Sequence, residues 1–239
     1  MKKLLKIIKW GMLIVLTVIV LAFTERKQRE QLVQSIHIDI EDSEDKFLDT
    51  NIVLRYLKTH NSYFDSITLS QFYLNDLEEV LLNHPAVKKA EVYSNQQGVV
   101  NINLQQKKAI VRIKTADADY YLDEDGLKMP LSKAYTPRVI VVSGDANQQH
   151  HASIYAFIQK INKSEFWKSQ ITQLHFSGDQ VVLIPRVGNQ KIHFGMLVNV
   201  TEKLANLYQF YKQAMPVKGW QTYSEISLKY NNQIVCTKK

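Results

Sequence analysis

Residues 75–105 read NDLEEVLLNHPAVKKAEVYSNQQGVVNINLQ, and this stretch decides the fold of the first half of the chain. Asn75 and Glu78 stand in cap-to-third-position spacing, and Leu77, Val80 and Leu81 follow as the apolar face of a helix. Pro85 stops that helix after His84, because proline has no amide proton to donate and crowds the residue before it. Two strand-like runs come next, Val87–Ser94 and Val99–Gln105. Asn95-Gln96-Gln97-Gly98 joins them as a four-residue hairpin loop, with Gly98 at its left-handed position.

Toward the N-terminus, Ser35–Ile40 alternates apolar residues with His37 and Asp39, which predicts a short strand. Asp49 then caps a helix through about Thr59, with Ile52, Val53, Tyr56 and Leu57 on one side. The order over residues 33–106 is therefore strand, helix, helix, strand, strand.

Toward the C-terminus the pattern turns mostly to strands: Ala109–Ile113, Tyr120–Leu122, Val139–Ser143 and three more near 171–176, 181–186 and 190–194. Residues 144–151 read as a polar loop. One amphipathic helix carries Ile154, Phe157, Ile158 and Ile161, and a second opens at Asn199 with Glu202, carries Leu204, Leu207, Tyr208 and Tyr211, and ends at Pro216. Glu225–Tyr230, an Asn231-Asn232 turn and Gln233–Thr237 finish the chain.

The N-terminus has a different character. Lys2, Lys3, Lys6 and Lys9 precede a run from Trp10 to Phe23 without a charge. Counted from Leu4, with the lysines snorkelling, it reaches the roughly twenty residues that a bilayer-spanning helix needs. Arg26, Lys27 and Arg29 on the far side are mixed with Glu25 and Glu30, so the lysine-rich tail is expected inside and the body outside. Cleavage as a signal peptide is the competing reading, although Ala22-Phe23-Thr24 is its best small-x-small site. These flanks also explain the charge: residues 1–30 carry +5 of the net +7, and the body has no basic block of the kind that phosphate binding needs. Nucleic acid is set aside.

Candidate chemistry is sparse. Asp123-Glu124-Asp125-Gly126 has Ser132 where a calcium loop would close with Glu, so a hairpin turn is expected there. His150 and His151 read as solvated loop residues, and His37, His60, His84, His175 and His193 are scattered singly. Asn162-Lys163-Ser164 and Asn199-Val200-Thr201 fit the glycosylation pattern only as common spacing does. The lone cysteine, Cys236, reads as a small hydrophobe in a terminal strand. No catalytic, metal or cofactor site is expected.

The sheet ends are more informative. Ile226, Leu228 and Tyr230 alternate with Ser227 and Lys229, and Gln233–Thr237 is short and apolar at Ile234, Val235 and Cys236. Uncovered, such a terminal strand is a template for an added strand. It is equally an ordinary last strand that Lys238 and Lys239 protect from pairing.

Taken together the arrangement resembles the bacterial FtsQ/DivIB division family. The resemblance is carried by Leu82-Asn83-His84-Pro85-Ala86-Val87 with Ala90-Glu91-Val92, the run Val99–Ile113, Tyr121-Leu122-Asp123 with Gly126, Lys203-Leu204 with Leu207, and Ile226-Ser227-Leu228-Lys229-Tyr230. Lys107-Lys108-Ala109 departs from the family's Arg-x-Pro junction, and Ser227 and Lys229 replace the Asp and Arg of its Asp-Leu-Arg-Tyr strand. The wording is closest to members from Bacteroidetes-type bacteria.

The resemblance implies an α+β protein: a cytoplasmic tail at 1–9, a single N-terminal transmembrane helix with its core at 10–24, a POTRA domain of β-α-α-β-β order at 33–106, and a mostly antiparallel β domain with two helices at 107–239. It implies a non-enzymatic divisome assembly protein of the inner membrane, with its body periplasmic and located at the division site. Implied partners are FtsB-like and FtsL-like bitopic proteins, the first bound by strand addition. Residue by residue, Lys229 and Tyr230 match the motif, while Asn231, Asn232, Gln233, Ile234 and Val235 follow by adjacency. Tyr230 serves equally well as a core residue. The rival function is a POTRA-type periplasmic chaperone or translocation component.

Overall fold

The computed structural model describes residues 10–20, 33–41, 45–60, 74–95, 97–230 and 233–239. The chain divides into two compact units, Met1–Gln106 and Lys107–Lys239.

Residues 10–20 form helix α1, and every side chain on it is exposed, Trp10 and Met12 among them. A helix that is apolar all round and buries none of its faces needs another apolar environment. Among the described residues, no helix is long and apolar enough to cross a membrane. The flanks of the expected span, 1–9 and 21–24, lie outside the described residues.

In the first unit, β1 (Ser35–Ile40), α2 (Thr50–Thr59), α3 (Leu74–Leu82), β2 (Val87–Ser94) and β3 (Val99–Gln106) follow in the expected order. The sheet runs β1-β3-β2, with β1 parallel and β2 antiparallel to β3. Period-two alternation puts Val100, Ile102 and Leu104 on the buried face, and the helices supply Val53, Leu57, Leu77 and Leu81 to the core. Asp49 caps α2 as its sequence predicts, accepting from the Ile52 amide at 2.7 Å. Asn75 does not cap α3, because the helix already includes Leu74. The hairpin loop has Gly98 at φ 81°, and the Asn95 carboxylamide oxygen accepts from the amides of Gln97 and Val99; Gln96 lies outside the described residues. At the unit's end the buried Gln106 amide accepts from Phe47 and Leu48 and donates to the Asp45 carbonyl, which fastens the segment entering α2.

The second unit is one nine-stranded sheet. Its strands are β4 (Ala109–Lys114), β5 (Asp119–Asp123), β6 (Lys128–Met129), β7 (Ile140–Gly144), β8 (Ile171–Ser177), β9 (Gln180–Pro185), β10 (Lys191–Gly195), β11 (Tyr223–Ser227) and β12 (Val235–Lys238). They lie in the order β12-β11-β10-β9-β8-β7-β4-β5-β6. Most neighbours are antiparallel, but β4·β7, β7·β8 and β10·β11 are parallel. A parallel neighbour needs a crossover, and helices supply two of them. One crossover holds α4 (His151–Asn162) and α5 (Glu165–Gln170); the other holds α6 (Val200–Gln213) and α7 (Met215–Lys218). The expectation of two helices in this unit is corrected to two long ones plus the short α5 and α7. Ile154, Phe157, Leu204 and Leu207 pack onto Leu174, Leu183, Ile192 and Ile226, with the Phe157 and Phe194 rings edge to face at 5.4 Å. Each such fully buried aliphatic or phenyl side chain contributes about 1.5–3 kcal/mol.

Three local expectations change. Residues 144–151 are only partly loop, because a 3-10 turn at Gln148–His150 leads straight into α4. Asn199 precedes α6 in a left-handed conformation, at φ 51°, and its side chain makes no cap hydrogen bond. The strand expected at Glu225–Tyr230 ends at Ser227, and the terminal one starts at Val235.

Candidate partner-binding edge

The last strand of the chain is also the last strand of its sheet. β12 runs antiparallel to β11, with Ser227 opposite Val235, Ile226 opposite Cys236 and Glu225 opposite Thr237. Ser224 Oγ lies within 3.2 Å of the Thr237 carbonyl, and the Lys239 amide donates to Thr222 at 3.1 Å. Among the described residues, nothing pairs with the outer side of β12.

Its neighbours are firmly set. Ile226 and Leu228 are fully buried, and the Leu228 amide donates to the His193 carbonyl at 2.9 Å, one step beyond the parallel ladder. Cys236 and Ile234 pack against the same core, and burial pushes the Cys236 thiol up. The thiol is thus the small hydrophobe its sequence suggests. The outward residues differ: Val235, Thr237 and Lys238 are exposed.

The structure separates the residues singled out in the sequence. Val235 lies in β12; Gln233 and Ile234 lead into it. Lys229 and Tyr230 follow β11 and are not part of a strand; Tyr230 is 55% exposed, so it is not a core residue. Asn231 and Asn232 lie outside the described residues. A shallow recess beside the edge is lined by Tyr230, Gln233 and Ile234 together with Glu202, Lys203 and Asn206 of α6. Lys203 has a fixed place there. Its Nζ donates to the carbonyls of Phe194 and Met196 at 2.9 and 3.0 Å and stands 4.8 Å from the Phe194 ring centroid. Burial holds its ammonium below the usual lysine range. The bend after β10 is thereby tied to α6, a role visible in the sequence only as a lysine at the start of a helix.

Elsewhere the polar groups are mostly structural. Asp123 makes the expected hairpin turn: its Oδ1 accepts from the amides of Asp125 and Leu127 at 3.1 and 2.8 Å. His150 and His151 are positioned and not free in solvent. The first accepts from the Asn147 amide through Nδ1 and meets Asp179 at 3.1 Å; the second meets the Tyr120 hydroxyl at 2.5 Å. Among the described residues, no group of three or more metal-capable side chains converges. One pairing escapes sequence reading: Ser143 Oγ and His175 Nδ1 are 3.0 Å apart, and Gln173 donates to the same hydroxyl. The parallel register of β7 and β8 brings them together across 32 positions. Among the described residues, the hydrogen bonds of this pair run from Gln173 to the Ser143 hydroxyl and between that hydroxyl and the imidazole, with no carboxylate in the set.

Comparison with known proteins matches residues 108–237 to the family FtsQ/DivIB, C-terminal related, and residues 31–105 to a POTRA-like domain. Among solved structures, the chain is similar to the major extracytoplasmic domain of the trans isomer of the bacterial cell division protein DivIB from Geobacillus stearothermophilus. The identity is 13% and the TM-score 0.34, covering 46% of this chain and 96% of that one. Curated protein sequences offer no match.

Proposed function

The chain belongs to the family FtsQ/DivIB, C-terminal related, and from that premise we propose that it is a non-enzymatic, membrane-anchored assembly factor of the bacterial division machinery. The family match over residues 108–237, behind a POTRA-like unit, is the observation that carries this reading. The apolar helix at residues 10–20 is its anchor, and the two units work outside the cytoplasm at the division site.

The partner surface is the outer side of β12, from Val235 onward, with Lys229, Tyr230, Gln233 and Ile234 beside it. An incoming strand gains affinity from backbone hydrogen bonds and selectivity from alternate side chains. Its owner is an FtsB-like bitopic protein paired with an FtsL-like one. Confinement to one membrane raises the effective concentration of both, so a modest interface suffices.

The test is a pull-down from membranes with the full chain and with a variant ending at residue 232, alongside a fluorescent fusion followed in dividing cells. The full chain is expected to form a mid-cell band and to capture its bitopic partner, and the truncated chain to lose capture while staying folded. Capture at undiminished affinity by the truncated chain refutes strand addition. A fusion spread evenly around the cell envelope favours the rival reading, a POTRA-type chaperone or translocation component.

A further inference from the structure

The first unit gathers two histidines on one tyrosine at the point where its helices end. His60 closes α2 and His84 follows α3, and both rings lie against Tyr56, with centroids 4.2 and 4.6 Å from its own. His84 is half-buried and meets the tyrosine ring edge to face.

The hydrogen bonds fix the state of each imidazole. His60 Nδ1 stands 2.9 Å from the Tyr56 carbonyl oxygen, which only accepts, so that nitrogen holds a hydrogen. His84 Nδ1 is the opposite case. The Ala86 amide donates to it at 3.2 Å, so that nitrogen is bare and the ring is neutral. The bond spans Pro85, which has no amide proton of its own. A second bond, from the Val87 amide to the His84 carbonyl at 3.0 Å, closes the same turn. Together they carry the chain from α3 into β2 through the buried Ala86 and Val87. A proton on His84 Nδ1 turns this acceptor into a donor facing another donor, and the Ala86 amide loses its partner.

The surroundings offer such a cation little. From α2 come the Tyr56 phenol, which is neutral, and His60, whose charge is of like sign; Lys58 in the last turn is a further cation. The carboxylates nearby serve Lys89: Glu91 pairs with it at 2.5 Å, and Glu78 and Glu41 act on the same ammonium. Glu79 of α3 is exposed. A helix C-terminus ordinarily favours a cation. Burial, and after it the charge of His60, nevertheless hold His84 below the usual histidine range.

We propose that His84 is a proton-operated latch of the POTRA-like unit: neutral, it pins the turn from α3 into β2 through the Ala86 amide, and protonated, it releases that turn. Unfolded, the imidazole takes its proton near pH 6.5; folded, it does so only at lower pH. The stability it contributes is therefore full above about pH 6.5 and is lost as the pH falls through that value. In the extracytoplasmic setting proposed above, the unit thus answers to external acidity; the latch itself does not rest on that setting.

The test follows the full chain in detergent by magnetic resonance from about pH 8 to about pH 5, reading the His84 ring and the exchange of the Ala86 amide, corrected for its intrinsic rate. Between the unfolded and folded pKa values, protection at Ala86 should fall by up to about tenfold per pH unit while the His84 ring titrates over the same range. His84→Asn supplies the control, because its side-chain oxygen accepts from the Ala86 amide at any pH, and protection there should not respond to acid. Ala86 protection that stays constant in the wild type, or that falls as steeply in His84→Asn, overturns the proposal. The wild-type profile decides alone if the variant does not fold.

Discussion

Replacing Gly144 by alanine tests how the sheet is held together at its centre. Gly144 ends β7 at φ 81°, and an added Cβ would stand 2.0 Å from the Phe176 carbonyl oxygen on β8. Left-handed backbone costs an L-residue about 1–2 kcal/mol. The contact is with backbone, so the parallel strands must part. That loses the hydrogen bond from the Asp145 amide to the same carbonyl, 3.1 Å long and worth about 1 kcal/mol. It also displaces the buried Phe176 ring, at about 1–3 kcal/mol for strain in a packed core. The expected loss is about 3–6 kcal/mol, from a total of about 5–15 for a typical domain. Gly178 provides the control. It too is left-handed, at φ 54°, but a Cβ there meets nothing within 4 Å. Gly178→Ala should therefore cost only the conformational part, about 1–2 kcal/mol. Urea unfolding of both variants, followed by tryptophan fluorescence, measures the difference. Unfolding free energies that agree within about 0.5 kcal/mol would refute the argument that the Phe176 carbonyl, and not backbone conformation, requires glycine at 144.

Three further outcomes are expected. Asp123→Ala strips the acceptor from two hairpin amides at a site 1% exposed and should cost about 2–3 kcal/mol, whereas Asp123→Asn keeps the Oδ1 acceptor and should cost less; thermal unfolding ranks the two. Gln106→Leu removes the side-chain hydrogen bonds to the Phe47 and Leu48 amides and to the Asp45 carbonyl, so hydrogen exchange should speed in the first unit while the second keeps its protection. Burial pushes the Tyr211 phenol up to about 12 from an ordinary value near 10. The unfolded chain therefore releases that proton first: stability is unaffected below pH 10 and falls as pH rises toward 12, and Tyr211→Phe should flatten that alkaline slope in urea titrations.

Features encoded within a few residues were readable from the sequence. The Asp49 cap, the Asn95–Gly98 loop and the Asp123 turn each depend on hydrogen bonds spanning four residues or fewer, and side-chain chemistry marks them. The apolar faces of α4 and α6 were plain for the same reason. Asn199 misled because asparagine suits both a cap and a left-handed residue, and only the backbone distinguishes them. The two-residue β6 and the short α5 and α7 are below the length at which periodicity speaks. Ser143 beside His175, and Tyr211 beside Gln170 and Gln190, depend on sheet register and crossover packing, which no local pattern records. At the candidate edge, the burial of Ile226 and Leu228 was legible, but the end of β11 at Ser227, which leaves Lys229 and Tyr230 off the strand, was not.

The position of β12 at the rim of its sheet has a consequence for stoichiometry. A guest ribbon lying along that rim does not abolish it; it re-creates the rim about 4.8 Å farther out, now made of the guest's own backbone. Whether assembly halts at one guest or continues into a growing stack is therefore written in the visitor's outward-facing side, by proline, charge or a covering helix, and not in this chain.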